Sequence, residues 1–503
     1  MFCETRSPFL KPPIWALCLL FLNVACDDAA EGRGAQGVDS GVDRSLRDQS
    51  VLPDRAVGEP DVQVDRGVIV DLGVDASVLV DVSVLDHGTD MGPNQDAAVS
   101  NPGAAARCLA DIADENAPGP NYDQFDAPIG THCRGTNIQN IEGVERVIFL
   151  GDSVTNGTPN DEHPLCLDND HFWRSRLAVW LADRFGLERG NDLEWEQWQS
   201  YSCLYNGEPG LVESGDFRNC ARWGASTDDF LGDVELPDDQ AARDEFCALC
   251  CVGGVCGGEN KCIRAAPDPQ NDAFCGFESD KSLGECVGGG VQLAEKTLFV
   301  FTIGGNNVAT ITKEGGQHTR DSEEGRREIE DGYPEAWRIA RETIVYLEEA
   351  IKFMKDPRRF PNGSYVVMGG PFEFTDGTSR VDACRPQSIE IPLIGELDLS
   401  ALSLDVASLV GFTNWAEPQV LQEITTYLLE QYMRIAMEYG VDYVWVLESF
   451  CGHGYVAAGP MADPNNRCYR EDDPSLWFDA SCTHPNERGH SALYDLFQSV
   501  IAE

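Results

Sequence analysis

Between residue 145 and the C-terminus, short apolar runs alternate with amphipathic stripes. Glu145-Arg-Val-Ile-Phe-Leu150 predicts a buried strand that ends at Gly151-Asp152-Ser153. His171 to Phe185 has helical spacing, with Phe172, Leu177, Trp180, Leu181 and Phe185 as its apolar stripe. Leu193 to Tyr201 alternates and predicts a strand. Thr297 to Ile303 predicts a second buried strand, Ser364 to Met368 a third and Val441 to Leu447 a fourth. Pro334 opens a helix running to about Lys355, because proline suits the first helical turn. Pro418 to Tyr439 is a long helix stopped by Gly440, and His490 to Ala502 is a closing helix. Strands alternating with helices predict an α/β fold with a parallel sheet.

Two stretches break this alternation. Residues 245–290 hold Cys247, Cys250, Cys251, Cys256, Cys262, Cys275 and Cys286 among many glycines, which predicts a disulfide-stapled insertion. Seven is odd, so at least one of these cysteines should pair outside the insertion. Cys247-x-x-Cys250 also has zinc-ligand spacing, but no matched second pair follows it. Residues 386–412 have no clear period and suggest a loop over the site.

The N-terminal part reads differently. Arg6 and Lys11 precede an apolar run from Ile14 to Ala25, the pattern of an export signal over residues 1–26. Val24-Ala25-Cys26 resembles a bacterial lipobox, although Asn23 stands where leucine is usual, and Cys26 is the expected lipidation site. Labelling cells with a fatty-acid probe tests this; an unlabelled product would leave ordinary signal cleavage. Residues 27–106 carry recurring Val-Asp units such as Gly37-Val38-Asp39 and Gly73-Val74-Asp75, and no aromatic residue or cysteine follows Cys26 before Cys108. Such a segment cannot bury enough apolar surface to offset its ordering entropy, so it reads as an acidic disordered linker before a domain at 107–503.

Composition sharpens the picture. The net charge is −48, which excludes the basic footprint of a nucleic-acid binder. Apolar residues make up 42% of the chain, enough for a sizeable core. Of 19 cysteines, three lie at or before Cys26, and the remaining sixteen predict a disulfide framework in an oxidising compartment. The expected location is therefore the bacterial cell envelope, lipid-anchored, or the medium outside it. Oligomeric state is not legible.

The candidate chemistry lies where strands end. A serine just after a buried parallel strand sits at the sheet's carboxyl edge, where open α/β folds place their sites. It needs a base to become a nucleophile. The bland reading of Asp152 and Ser153 is a helix cap. Strand 297–303 ends in Gly304-Gly305-Asn306-Asn307, which suits close backbone approach with amide donors. His484 precedes the last helix, with Asp479 upstream to hold the imidazole in one tautomer. Together these residues resemble the SGNH (GDSL) hydrolase family. Gly151-Asp152-Ser153 matches the block whose serine is the nucleophile, and Trp223-Gly224-Ala225-Ser226 the block whose glycine N–H serves the oxyanion hole. Gly304-Gly305-Asn306-Asn307 matches the block with an asparagine oxyanion donor, and His484-Pro485-Asn486 the block whose histidine is the base.

The resemblance implies a three-layer α/β/α sandwich around a flavodoxin-like five-stranded parallel sheet. It implies Ser153, His484 and Asp479 as catalytic residues, and Ser153, Gly224 and Asn306 as the oxyanion hole. No metal or cofactor is implied. Two departures stand out. Asn307 replaces the usual aspartate, and Ser481 occupies the acid's usual place three residues before the histidine. Asp479 is the nearest acid. A disulfide at Cys482 would reshape the loop to bring it in; otherwise a Ser-His dyad remains. Asn307 and His453 are candidate pocket residues, and His453 is a rival base. The implied substrate is a carbohydrate-acetyl or lipid ester, with some likeness to acyloxyacyl hydrolases. The rival expectation is a non-catalytic surface binding lipoprotein on the same scaffold.

Overall fold

A computed structural model describes residues 103–503, apart from 113–118, 159–168, 201–206, 233–235, 238, 255–261, 267, 278–280, 289–292, 385–387, 392–394, 399–411 and 459–461. The export signal, Cys26 and nearly all of the linker lie outside the described residues, as does most of the expected loop at 386–412.

The strands are β1 (Arg146–Gly151), β2 (Glu213–Ser214), β3 (Phe217–Asn219), β4 (Thr297–Thr302), β5 (Ser364–Gly369), a separate hairpin β6 (Ser388–Ile391) and β7 (Gly395–Asp398), and β8 (Asp442–Val444). The main sheet runs β2-β3-β1-β4-β5-β8. All its neighbours are parallel except β2 and β3. Five parallel strands therefore stand in flavodoxin-like order, with short β2 added as an antiparallel edge. Chain order reverses at β1, which has β3 on one side and β4 on the other. That reversal opens a crevice beyond the strands' carboxyl ends.

The helices that cover the sheet are α1 (Ala104–Cys108), α2 (Ser153–Asn156), α3 (Trp173–Phe185), α4 (Asp192–Gln199), α5 (Gln240–Cys250), α6 (Ser282–Val287), α7 (Gly305–Gln317), α8 (Glu323–Glu330), α9 (Pro334–Met354), α10 (Pro418–Tyr439), α11 (Val446–Phe450) and α12 (Glu487–Ala502). The strands' period of two divides their side chains between two cores. Ile148, Leu150, Phe299, Phe301, Val366 and Met368 face α6, α7, α9 and α10. Val147, Phe149, Leu298, Val300 and Val367 face α3, α4 and α12. Strands buried on both faces read as unbroken apolar runs, which is why β1 and β4 were legible.

Three expectations need correction. Within the stretch 193–201, the residues up to Gln199 belong to helix α4, not a strand, and Tyr201 lies outside the described residues. Asn191 caps the helix and completes a capping box with Glu194. Trp195 and Trp198, three apart, stack at 4.9 Å and face the core, whereas Leu193 is 65% exposed, so the alternation there was incidental. The strand beyond β1 is instead β3, too short for a periodic signal. The strand expected over 441–447 ends at Val444, because α11 begins at Val446. Finally, the last linker residues, 104–106, are already helical: Ala105 and Ala106 N–H donate to the Asp123 carboxylate.

The insertion is stapled as expected. Cys250–Cys275 and Cys251–Cys262 close it internally, and Cys220–Cys286 ties it to the segment after β3. Cys247 is disulfide-bonded too, so the Cys247-x-x-Cys250 pair does not offer thiolates to zinc. The buried ion pair Arg359–Asp272, at 2.6 Å, joins the insertion to the turn after α9. Cys108–Cys133, Cys384–Cys482 and Cys451–Cys468 complete the described bridges.

Candidate active site

The turn after β1 sets the serine. Gly151 has φ +120°, and a Cβ there would stand 2.2 Å from the Thr302 carbonyl on β4, so only glycine fits. Asp152 then caps α2, its carboxylate accepting from Val154 N–H at 3.0 Å. Burial pushes the Asp152 carboxyl up to about 7, with its backbone hydrogen bonds opposing. Capping thus belongs to Asp152 alone. Ser153, the first residue of α2, turns its hydroxyl away to His484, with Oγ 2.9 Å from Nε2.

Behind the serine lies a polar brace that the sequence reading missed. Asn156 is fully buried, donates to the Gly207 carbonyl and accepts from Asn219. Arg174 on α3 is also fully buried and donates to the carbonyls of Thr155, Asn156, Trp198 and Gln199. Among the described residues no carboxylate is bonded to it, and burial holds the guanidinium below its ordinary range. Its position inside an apolar stripe was the signal available, since buried arginine needs a reason.

The three blocks at the strand ends are joined by short hydrogen bonds. Arg222 N–H donates to the Gly151 carbonyl, and Trp223 Nε1 to the Gly157 carbonyl. Asn306 Nδ2 donates to the Ala225 carbonyl at 2.9 Å. Asn307 is buried, and its Oδ1 accepts from Thr227 N–H. It holds the Gly224 loop against α7. Thr227 N–H needs an acceptor here, which an amide supplies without a buried charge. Gly224 has φ +76° and is exposed. Among the described residues, neither the Ser153 nor the Gly224 N–H is engaged by another protein group.

His484 is presented by the segment 475–486. Asn486 caps α12 through its Oδ1, while its Nδ2 donates to the Leu476 and Phe478 carbonyls. Cys384–Cys482 pins the loop from outside, with Cys482 at φ +71°. The structure brings Asp479 close, but Nδ1 of His484 faces Ser481 Oγ at 2.9 Å, with Thr483 Oγ1 at 3.5 Å. Asp479 Oδ1 in turn accepts from Ser481 Oγ at 2.5 Å and from Ser481 N–H at 2.9 Å. His484 is half-buried, and burial holds its imidazolium down at about 4.

His453 is placed beneath this segment. Its ring stacks on Trp477 at 3.5 Å and 3°, and its Nδ1 contacts the Ser475 carbonyl. It is 3% exposed and makes no hydrogen bond to Ser153. Its neighbours hold it as a support for the histidine loop.

No protein-family model matches the chain, and no curated protein sequence matches it. Solved structures similar to it include an extracellular lipase from Streptomyces rimosus, at 12% identity and TM-score 0.28, covering 70% of this chain and 96% of that one. Phospholipase A1 from Streptomyces albidoflavus is 14% identical with TM-score 0.28, over 70% and 96%. An α/β hydrolase enzyme from the metagenome of Lake Arreo, Spain, is 12% identical with TM-score 0.25, over 72% and 97%. At such TM-scores the functional reading rests on the site's own geometry.

Proposed function

We propose that this chain is an extracytoplasmic serine ester hydrolase of SGNH type that works through an acyl-enzyme. The observation that carries the reading is the 2.9 Å contact between Ser153 Oγ and His484 Nε2 at the switch point of the parallel sheet. Ser153 Oγ attacks an ester carbonyl as its proton passes to Nε2. The tetrahedral oxyanion forms beside the unengaged N–H groups of Ser153 and Gly224 and the Asn306 amide. Losing one such donor costs about 10²–10³ in rate. His484 then gives its proton to the leaving alcohol, and a water that it deprotonates releases the acid. Disulfides throughout the domain support the oxidising compartment. Among the described residues no helix is long and apolar enough to cross a membrane.

The test uses p-nitrophenyl esters from acetyl to palmitoyl, with fluorophosphonate labelling, on wild type and Ser153→Ala. Activity and labelling that both vanish in the variant support the reading, and the chain-length optimum separates short acetyl esters from lipid esters. A wild type that neither hydrolyses nor labels moves the protein to the binding role on an inert scaffold.

A further inference from the structure

His484 has two ring nitrogens with different jobs. Nε2 meets the nucleophile; Nδ1 sets the tautomer. In a serine-histidine-acid arrangement Nδ1 donates directly to a carboxylate. Here a hydroxyl stands between them. Ser481 Oγ lies 2.9 Å from His484 Nδ1 and 2.5 Å from Asp479 Oδ1.

We infer that Ser481 is a positioning residue that joins Asp479 to His484 through its hydroxyl, in place of a directly paired acid. This rests on the proposed hydrolase reading and goes beyond it.

Proton accounting fixes the direction of each bond. A carboxylate only accepts, so the single Ser481 proton points to Asp479. Ser481 Oγ then has only lone pairs left. One lone pair faces His484 Nδ1 at 2.9 Å, and the other takes the longer, shared contacts from the backbone N–H groups of His484, at 3.2 Å, and Thr483, at 3.4 Å. His484 Nδ1 must therefore carry a proton and donate it to the same oxygen. That leaves Nε2 unprotonated and facing Ser153, the tautomer a general base requires. When Ser153 attacks, its proton moves to Nε2. The Nδ1 proton stays on the ring and the Ser481 proton stays on Ser481, so nothing travels along the chain of bonds.

The cost is electrostatic. A hydroxyl dipole stabilises imidazolium less than an adjacent carboxylate would. The other titratable groups near His484 do not make up the difference. Asp152 lies beside Ser153 and is itself buried. From α12, His490 is buried and near His484, with His171 and Arg176 of the α3 region behind it. None adds a negative charge at Nδ1. The base stays neutral well into acid, in keeping with the low His484 value. The hydrolase should keep its base active where a directly paired histidine is already protonated.

The experiment measures kcat, KM and the pH profile of ester hydrolysis on the full chain with its disulfides formed. Ser481→Ala should lower kcat roughly 10–10³-fold, less than the ~10⁴ that follows misdirection of a directly paired histidine, with KM nearly unchanged. Ser481→Thr, which keeps the hydroxyl, should recover most of that loss. Ser481→Asp should move the acid limb of kcat/KM up by about 1–3 pH units, the effect of an opposite charge at contact distance. Asp479→Asn should cost little more once Ser481 is alanine, because both act on one nitrogen.

A Ser481→Ala enzyme that matches wild type in kcat and acid limb, or a Ser481→Asp enzyme whose acid limb stays put, overturns the relay. If wild type shows no hydrolysis and no fluorophosphonate labelling, the hydrolase reading falls instead. Nitrogen-15 spectra of His484 then still decide the relay: the proton on Nδ1 in wild type and a mixed tautomer in Ser481→Ala support it, and identical spectra overturn it.

Discussion

The two halves of the site are held by different means. The serine half is fixed by sheet register and by buried side chains bonded to main chain. Gly151 pairs with Thr302 in the β1–β4 register, Asp152 caps α2, and buried Asn156 and Arg174 brace the turn. The histidine half is held by side chains and a disulfide. Its loop rests on the His453–Trp477 stack, the Asn486 bonds, the Ser481 hydroxyl and Cys384–Cys482. Sheet register is cooperative and hard to perturb locally. A loop fastened at a few points can loosen while the sheet stays folded. Damage on the serine side should therefore unfold the domain, and damage on the histidine side should cost activity first.

The largest effect tests the serine side. Gly151→Ala forces a Cβ onto the Thr302 carbonyl at a positive φ and should cost about 3–5 kcal/mol of stability. Urea titration should show one cooperative transition moved to lower denaturant. A variant that keeps its midpoint but loses activity would mean this turn is not tied to the sheet.

Next, replacing Cys384 and Cys482 together by serine opens a link across 98 residues and should cost about 2–4 kcal/mol. Fluorophosphonate labelling should slow well below the melting temperature, while far-UV circular dichroism stays native. Labelling at the wild-type rate would show that the loop is held without its disulfide.

Asp152→Asn separates the two halves by pH. The folded pKa of Asp152, about 7, lies above its ordinary 3.8, so the folded state prefers the protonated form. Its contribution is full below about pH 4, falls as pH rises towards 7 and then levels. The slope is about 1.4 kcal/mol per pH unit. The wild-type minus variant difference in stability should follow that curve. A flat difference would mean that the carboxyl titrates normally.

The smallest effect is expected from His453→Phe, which keeps a ring on Trp477 but abandons the Ser475 carbonyl. It should cost about 1 kcal/mol and leave activity within roughly tenfold. Complete loss of activity there, with His484→Ala still active, would reverse the assignment of the base.

Sequence reading served these halves unequally. β1, β4 and β5, the proline-led helices α9 and α10 and the closing helix are long, periodic or marked by proline and glycine, so they were visible. The Gly151-Asp152-Ser153 turn and the Asn306 block were visible because glycines marked the strand ends. Helix α4 was misread because Leu193 and Trp195 alternate over a stretch too short to separate the two periods. β3 was missed because three residues carry no period. Asn156 and Arg174 act through bonds to main chain remote in sequence, and Asn219 through the Asn156 side chain; only the place of Arg174 in an apolar stripe gave a local sign.

The chain's order of apolar runs, its glycines at strand ends and its cysteines by themselves determined a disulfide-bonded α/β domain with a serine at the carboxyl edge of its sheet; the resemblance of its motifs to a known family pointed to the histidine. Those features are local, set by backbone geometry and burial along a few residues. Only the tertiary structure decided which nitrogen of His484 meets which oxygen, that Asn307 and His453 serve as supports, and that Ser481 stands between Asp479 and the imidazole. Hydrogen-bond direction depends on distances of a few tenths of an ångström between groups that folding and a disulfide bring together, and residue order alone does not fix such distances.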